Sequence, residues 1–438
     1  MIRRTIQEWN SISYGSGSQD IPADAADRLA AVAKASSFAG RSGNRVLEHG
    51  RNALRAQGVV GVIAAQGCTL EILPKIDAAA ANGANEVGAI RQRLVHMLAV
   101  ALDLKIDAGA LTQLSWQRES LLEILIKLFC QKLTGAVRQG MPRRYVERHE
   151  DLATVRGRLD LTRQFTKLAG NPSRLACRFD DLTRNIALNQ IMKASVRSLA
   201  KVARSSANQQ SLRELEFVYS EVSDMPISSL RWNEVILDRT NNRWAELLKL
   251  AKMLLGQRFQ TTSEGRTDGY TLLFEMNTLF EEYVARMLRR ALKDSDLEIV
   301  TQGGRLYCLE NEAKKPLFQT RPDILIKRGD DVVQLIDTKW KTITSAADDP
   351  KQDVSQGDVY QMMAYGQLYR CSRLTLLYPH HKGLTAMDGI HSTFWVQTGG
   401  QSIEIRAIDI STDSGVLERL KSLVFQPVPK LHMVDRHD

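Results

Sequence analysis

The sequence predicts an α+β multidomain protein: a mixed α/β segment over residues 1–105, a mainly helical segment over 106–265, and an α/β segment with a mixed sheet over 266–438. Three observations lead there. Two β-branched runs flank Gln66-Gly67, which is a hairpin signal. Between 106 and 265 apolar residues recur at three-to-four spacing, so that region packs helix on helix. Beyond Gly265 helical and strand-like stretches alternate, as an α/β sheet domain requires.

Taken in order, residues 22–38 read as a helix, with Asp20 as its cap and Pro22 in its first turn. Residues 59–76 read as the hairpin. The small, polar run DAAAANGANEVGA then reads as a loop before an apolar-periodic helix at about 88–104. In the middle segment SLLEILIKLFCQKLTGAV, NIALNQIMKASVRSLAKVA and RWAELLKLAKMLL are the helices. Between the first two lies a basic β segment holding Arg143, Arg144, Arg148, Arg156, Arg158 and Arg163, open to two readings: a solvated charged hairpin or a phosphate-contacting surface. A helix over 272–294, strands over roughly 297–341, a helix over 353–370 and strands at 373–378 and 391–410 complete the prediction.

Composition narrows the function classes. With 43% hydrophobic and 25% charged residues the chain is an ordinary globular one, and no stretch approaches the ~20 apolar residues of a membrane span. MIRRTIQEWN has two arginines but no apolar core after them, so secretion is not expected and the cytoplasm is the default. The five cysteines are scattered, without zinc spacing, and read as reduced, buried thiols. A net charge of +9 and a pI near 9.3 are compatible with a polyanionic partner. No GxxxxGK[ST] phosphate loop is present, so any nucleotide hydrolysis belongs to another chain.

Chemistry concentrates in TRPDILIKRGDDVVQLIDTKWK, which reads as two strands joined by the turn Arg328-Gly329-Asp330-Asp331. Asp323 opens the first strand. Asp337 and Lys339 follow the apolar run of the second, and because side chains alternate they share one face while Ile336, Thr338 and Trp340 take the other. Phosphodiester hydrolysis needs these residue types: carboxylates to hold a hard divalent cation and an ammonium to stabilise the attacked phosphate. The bare pattern carries little, since Asp103-Leu104-Lys105, Glu312-Ala313-Lys314 and Asp349-Pro350-Lys351 match it too. Asp337-Thr338-Lys339 alone follows an apolar strand with a Pro-Asp pair fourteen positions earlier, and on the strand pair alone a surface salt bridge competes with a nuclease site. On the next helix Gln361 and Tyr365 stand four apart on one face, where core packing is the competing reading for Tyr365.

The fragment Arg321-Pro322-Asp323, Asp337-Thr338-Lys339 and Gln361-xxx-Tyr365 resembles the motifs of the RecB-like branch of the PD-(D/E)xK nuclease superfamily. That resemblance implies a PD-(D/E)xK fold for 266–438, with Asp323, Asp337, Lys339, Gln361 and Tyr365 catalytic. Asp323 and Asp337 would be ligands to Mg²⁺, with Mn²⁺ as a substitute. An acidic residue from the preceding helix, Glu281 in preference to Glu282, would be the third ligand. LEILPKI, VRGRLDL, FDDLTRNIALNQIMKAS, LFEEYV, YQMMAY and LLYPHH, in that order, further resemble McrC, the nuclease-subunit family of the McrBC modification-dependent restriction systems. This implies a DNA endonuclease that cuts double-stranded DNA only with an AAA+ GTPase or ATPase ring, docked through residues 1–105 and stimulated by them. Arg41, Arg45, Arg51 and Arg55 form a basic cluster there, for most of which ordinary solvation is the simpler reading. A stand-alone RecB-like exonuclease and a non-catalytic adaptor that activates the ring are the rivals. His380 and His381 read as structural or backbone-contacting, since no nucleophile elbow accompanies them.

Overall fold

The computed structural model describes residues 2–36, 38, 45–75, 84–104, 119–239, 241–255, 269–344, 351, 354–381, 384, 389–397, 400–410 and 415–426, with the backbone alone for 84–86. Arg41 of the amino-terminal basic cluster lies outside these residues. The chain forms two compact units, one from residues 1–121 together with 261–438 and the other from 122–260. The helical middle thus stands by itself, while the first and third segments share a unit.

In the first unit β1 (Ile2–Gln7) and β2 (Ser11–Ser13) precede helix α1 (Ala23–Lys34), followed by β3 (Leu47–His49), β4 (Ala53–Ala56), β5 (Val59–Ala65), β6 (Cys68–Leu73) and α2 (Ala84–Ala101). β5 and β6 are the expected hairpin, turned at Gly67 with a left-handed φ of 76°. Leu29, Ala25, Ala26 and Ala33 of α1 pack with Ile63, Leu70 and Ile72 into one core. Each fully buried aliphatic side chain of Leu or Ile size contributes about 1.5–3 kcal/mol. Asp20 does not cap α1. Pro22 occupies the N-cap without a side-chain bond, and the Asp20 carbonyl instead accepts from Arg4 Nε at 2.6 Å.

The second unit holds α3 (Leu121–Arg138, entered from the first unit at its first residue), β7 (Arg144–Leu152), β8 (Arg158–Leu159), α4 (Leu161–Thr166), β9 (Leu175–Thr183), α5 (Ala187–Val202), α6 (Ser206–Val218) and α7 (Ala245–Leu255). Its apolar helix stripes meet as the periodicity predicts. Glu123, 4% exposed, is satisfied by the backbone N–H of Arg204 and by Asn208 Nδ2, fixing the turn that leads into α6. The basic segment forms a three-stranded sheet in the order β7-β9-β8. Three of its six arginines are paired with acids: Arg148 and Arg156 with Asp181, and Arg163 with Asp151, which favours the solvated charged reading for those three.

Back in the first unit come β10 (Tyr270–Glu275), α8 (Met276–Ala291), β11 (Glu298–Thr301), β12 (Tyr307–Glu310), β13 (Pro316–Gln319), β14 (Ile324–Arg328), β15 (Asp331–Thr338), α9 (Gln356–Leu368), β16 (Arg373–Pro379), β17 (Gly389–Trp395), β18 (Ser402–Ile408) and α10 (Val416–Phe425). The expected helix over 272–294 is corrected: its first residues are strand β10, antiparallel to β5, giving the sheet β1-β6-β5-β10. TLLF is apolar enough for either structure, and a partner some two hundred positions away decides it. Gly61 permits the approach, because a Cβ there would lie 1.9 Å from the Leu272 carbonyl oxygen.

The main sheet runs β11-β14-β15-β16-β18-β17 and is mixed, as predicted: β15, β16 and β18 are parallel and the other pairings antiparallel. β14 and β15 join through Gly329-Asp330, with Gly329 at φ 60°, and Ile324 stands opposite Ile336. On one face Leu335, Leu374, Leu376, Ile403 and Ile405 form a core with Met362 and Tyr365 of α9. On the other face Glu404 is bound by Arg406, and Arg373 donates to the Val424 and Leu423 carbonyls that end α10. Cys68, Cys130, Cys177 and Cys371 are buried as expected, whereas Cys308 is exposed on β12.

A buried bond ties the β1-β6-β5-β10 sheet of this unit to its main sheet. Trp340, just past β15, donates its indole N–H to Glu8 Oε1 at 2.9 Å, stacks edge-on against Phe280, and takes the Asn277 side-chain oxygen with its backbone N–H. Burial raises the Glu8 pKa, while bonds from Lys75 and Trp340 pull it back. Trp340→Phe keeps a ring in place but leaves Glu8 short of a donor, and is expected to cost about 1–3 kcal/mol in urea unfolding.

Candidate active site

The site is assembled at one end of the main sheet, where β15 runs out of its apolar stretch. Asp323 immediately precedes β14 and is held by Thr338, whose N–H and Oγ1 donate to its Oδ2 at 2.8 and 2.9 Å. Asp337, 2% exposed, lies 2.7 Å from Lys339 Nζ, so the two do share a face. The Lys339 backbone N–H donates to the Leu377 carbonyl and continues the β15–β16 ladder past the last strand residue. Glu281 projects from the second turn of α8 and accepts from Gln302 Nε2 at 3.1 Å. Gln302 also binds the Asp323 carbonyl through its backbone N–H.

Electrostatics bind these groups together. Burial raises Asp323, against the bonds from Thr338. Asp337 is pushed up to about 6, first by burial and then by the charge of Asp323. Glu281 is pushed up to about 7 by burial, with Asp323, Glu282 and Asp337 adding to it. For Lys339 burial works to lower the pKa, but Asp337, Asp358 and Asp323 outweigh it and the ammonium is held charged. Burial raises all three carboxylates and neighbouring acids raise Asp337 and Glu281 further, which is the kind of site that a cation relieves.

Their donor chemistry fits a hard divalent ion such as Mg²⁺. Among the described residues, no three His, Cys, Asp or Glu side chains already close into a metal-holding group. Asp337 is turned to Lys339 and Asp323 to Thr338, so one oxygen of each carboxylate has an internal partner.

The α9 residues divide. Gln361 Nε2 donates to the Tyr365 hydroxyl at 2.8 Å, and the Tyr365 ring is core, packed with Leu335 and Leu376. Asp358, three positions before Gln361, reaches the site: it lies 3.5 Å from Lys339 and 3.2 Å from Lys341. Sequence reasoning missed it, although the spacing Asp358, Gln361, Tyr365 puts all three on one helical face. Tyr378 was also missed. It is 1% exposed, and its hydroxyl is kept protonated by burial and by the charges of Asp358 and Asp337. His381 binds the Ile343 carbonyl, a structural role, and burial beside His380 and His381 lowers the His391 pKa.

A stability consequence follows from Glu281. Folded, it keeps its proton up to about 7 instead of its ordinary 4.5, so between those values the folded chain binds more protons than the unfolded one. Stability therefore falls as pH rises across that window. Glu281→Gln, which keeps the acceptor for Gln302, is expected to raise urea stability in chelating buffer at pH 8. The gain is on the order of 1–2 kcal/mol after discounting for partial exposure, with almost no effect near pH 4.5.

The family model described as "McrBC 5-methylcytosine restriction system component" matches residues 54–379. No curated protein matches the chain. Among solved structures, one similar chain belongs to a half-complex from the tetradecameric assembly of Thermococcus gammatolerans McrB AAA+ hexamers with bound McrC. The two are 22% identical with a TM-score of 0.72, over 96% of this chain and 99% of that one. A chain of the Thermococcus gammatolerans McrBC complex is 26% identical with a TM-score of 0.53, over 66% of this chain and 88% of that one. None of the helices in the described residues is long and apolar enough to cross a membrane. Matched over most of its length, the chain belongs to the McrBC 5-methylcytosine restriction system component family.

Proposed function

We propose that this chain is the DNA-cutting subunit of a McrBC-like restriction system, a metal-dependent endodeoxyribonuclease of the PD-(D/E)xK kind. It acts on double-stranded DNA together with an AAA+ GTPase or ATPase ring whose hydrolysis it stimulates. The observation that carries the reading is the buried grouping of Asp323 and Asp337 with Lys339 at the end of β15, with Glu281 close enough to feel both carboxylates. A surface salt bridge does not account for it, because Asp337 is 2% exposed and two further acids crowd it. The ring partner is supported by two similar structures from McrBC assemblies. A cytoplasmic location is part of the same proposal.

In this reading Asp323, Asp337 and Glu281 hold Mg²⁺, for which Mn²⁺ substitutes. Bound there, the ion supplies positive charge to the phosphoryl group and activates water. Every other task falls to the protein. Thr338 fixes the Asp323 carboxylate with two donors, leaving its remaining lone pairs directed by the strand. Lys339, steadied by Asp337 and Asp358, brings a fixed charge toward a phosphate oxygen without having to reorganise water. Gln361 and Tyr365 hold each other in register on α9, so that the helix presents one rigid edge. Burial of the carboxylates keeps the local dielectric low and makes each charge count for more.

The test is cleavage of modified and unmodified plasmid by the chain assembled with its NTPase, with nucleotide and Mg²⁺. Asp337→Asn and Lys339→Ala are each expected to slow cutting on the order of 10²–10³-fold while stimulated NTP hydrolysis persists. Undiminished cutting in both variants would remove the site assignment. A wild-type complex that hydrolyses NTP yet never cuts would leave an adaptor in its place.

A further inference from the structure

Between β11 and β14 the chain leaves the main sheet for a free-standing two-stranded hairpin, β12 with β13, every residue of which is exposed. Its side chains are not those of a solvated loop. Tyr307, Leu309 and Leu317 stand on one face by register, and Phe318 is 71% exposed. Around them Arg305, Lys314, Lys315 and Arg321 outnumber Glu310 and Glu312. An isolated hairpin gains nothing from displaying apolar groups to water unless another surface covers them.

The backbone is strained to present them. Gln302, Arg305, Lys314 and Phe318 all take left-handed φ angles, of 47°, 42°, 55° and 56°. For a bulky residue such as phenylalanine this is an outlier costing of order 1–3 kcal/mol, of a kind that clusters at working sites. The root of the hairpin is clamped, so the strain is not released by motion there. Thr320, 5% exposed, donates its N–H and Oγ1 to the Leu306 carbonyl at 2.7 and 2.8 Å. Its Oγ1 also lies 2.7 Å from the Tyr369 hydroxyl, which accepts the Leu306 N–H. Gly304 lies so close to the Tyr369 ring that a Cβ would come within 2.2 Å. Tyr369 in turn stacks edge-on against Tyr365. Three residues after Thr320 comes Asp323.

A hairpin with lysines at its turn and an exposed phenylalanine next to its clamped root, beside a carboxylate site, fits one occupant best. The polyanionic backbone of duplex DNA meets the cations, and the base stack meets the ring. We propose that this hairpin is a wedge that engages duplex DNA next to the bond to be cut, with Phe318, close to the clamped root, set against the bases. The proposal rests on the nuclease reading for the word "cut" and on nothing but binding for its test.

The full-length chain, alone and assembled with its NTPase, is titrated in the absence of cleavage onto a short duplex carrying 2-aminopurine at successive positions. Wild type is expected to raise the fluorescence at one or two adjacent positions as the base unstacks. Phe318→Ala should abolish that rise and weaken binding about tenfold, and Phe318→Trp should restore both. Because Phe318 is exposed, its variants should melt with the wild type. An unchanged fluorescence rise and affinity in Phe318→Ala overturns the wedge, as does a wild type that gives no rise in either form. A loss of NTPase binding with DNA affinity intact reassigns the hairpin to protein docking. If Asp337→Asn cuts normally the nuclease reading fails separately, since the binding arm involves no chemistry.

Discussion

Everything in the site depends on one constraint: β15 carries an aspartate and a lysine out of an apolar strand at a depth where neither can be left to water. An unpaired carboxylate there would cost several kcal/mol, and removing one partner of such a pair is far worse than never having it. The surrounding elements are arranged around that demand. β14 delivers Asp323 to the Thr338 donors, β16 extends its ladder to Lys339, and α9 contributes Asp358 as the second counter-charge. The residual repulsion among Asp323, Asp337 and Glu281 remains in the fold as a bias toward binding positive charge.

The part of this that could be read from the chain was the part governed by local rules. Alternation along a strand was enough to put Asp337 and Lys339 on one face, and a Gly-Asp turn was enough to join their strand to that of Asp323. Preferring Glu281 to Glu282 came from its place beside the core residue Phe280, and the structure likewise keeps Glu281 half-buried and Glu282 exposed. What was not legible depended on partners distant in sequence. β10 looks helical until β5 is available to pair with it, and Tyr378 looks like core until the acids of α9 and β15 are brought over it. Asp358 sat in plain view at helical spacing but had no visible reason to matter before Lys339 was placed. The expected Asp20 cap failed because Arg4, remote by sixteen positions, holds the backbone of that turn.

The opposite face of the main sheet shows the same logic without chemistry. Glu404 and Arg406 are almost wholly buried, and Arg373 spends its donors on the carbonyls at the end of α10. These charges anchor a helix, not a ligand, and their enclosure is tolerated because each ionised group has an opposite one in contact. The Asp337–Lys339 pair and the Glu404–Arg406 pair thus lie on opposite faces of one sheet. One is neutralised internally, and the other carries an excess of acid.

The pairing of β10 with β5 also fixes a schedule for the nascent chain. The hairpin Val59–Leu73 emerges from the ribosome early, but the strand that covers its open edge arrives only with residues 270–275. Until then VVGVIAA presents an unpaired, uncharged, β-branched edge, the sort of surface that recruits like strands from neighbouring chains. The helical middle unit is made during that interval and closes on contacts within its own residues, such as those of Glu123 with Arg204 and Asn208. The first sheet is therefore the earliest begun and among the last finished. Its dependence on a distant strand makes the amino-terminal and carboxy-terminal segments a single folding unit.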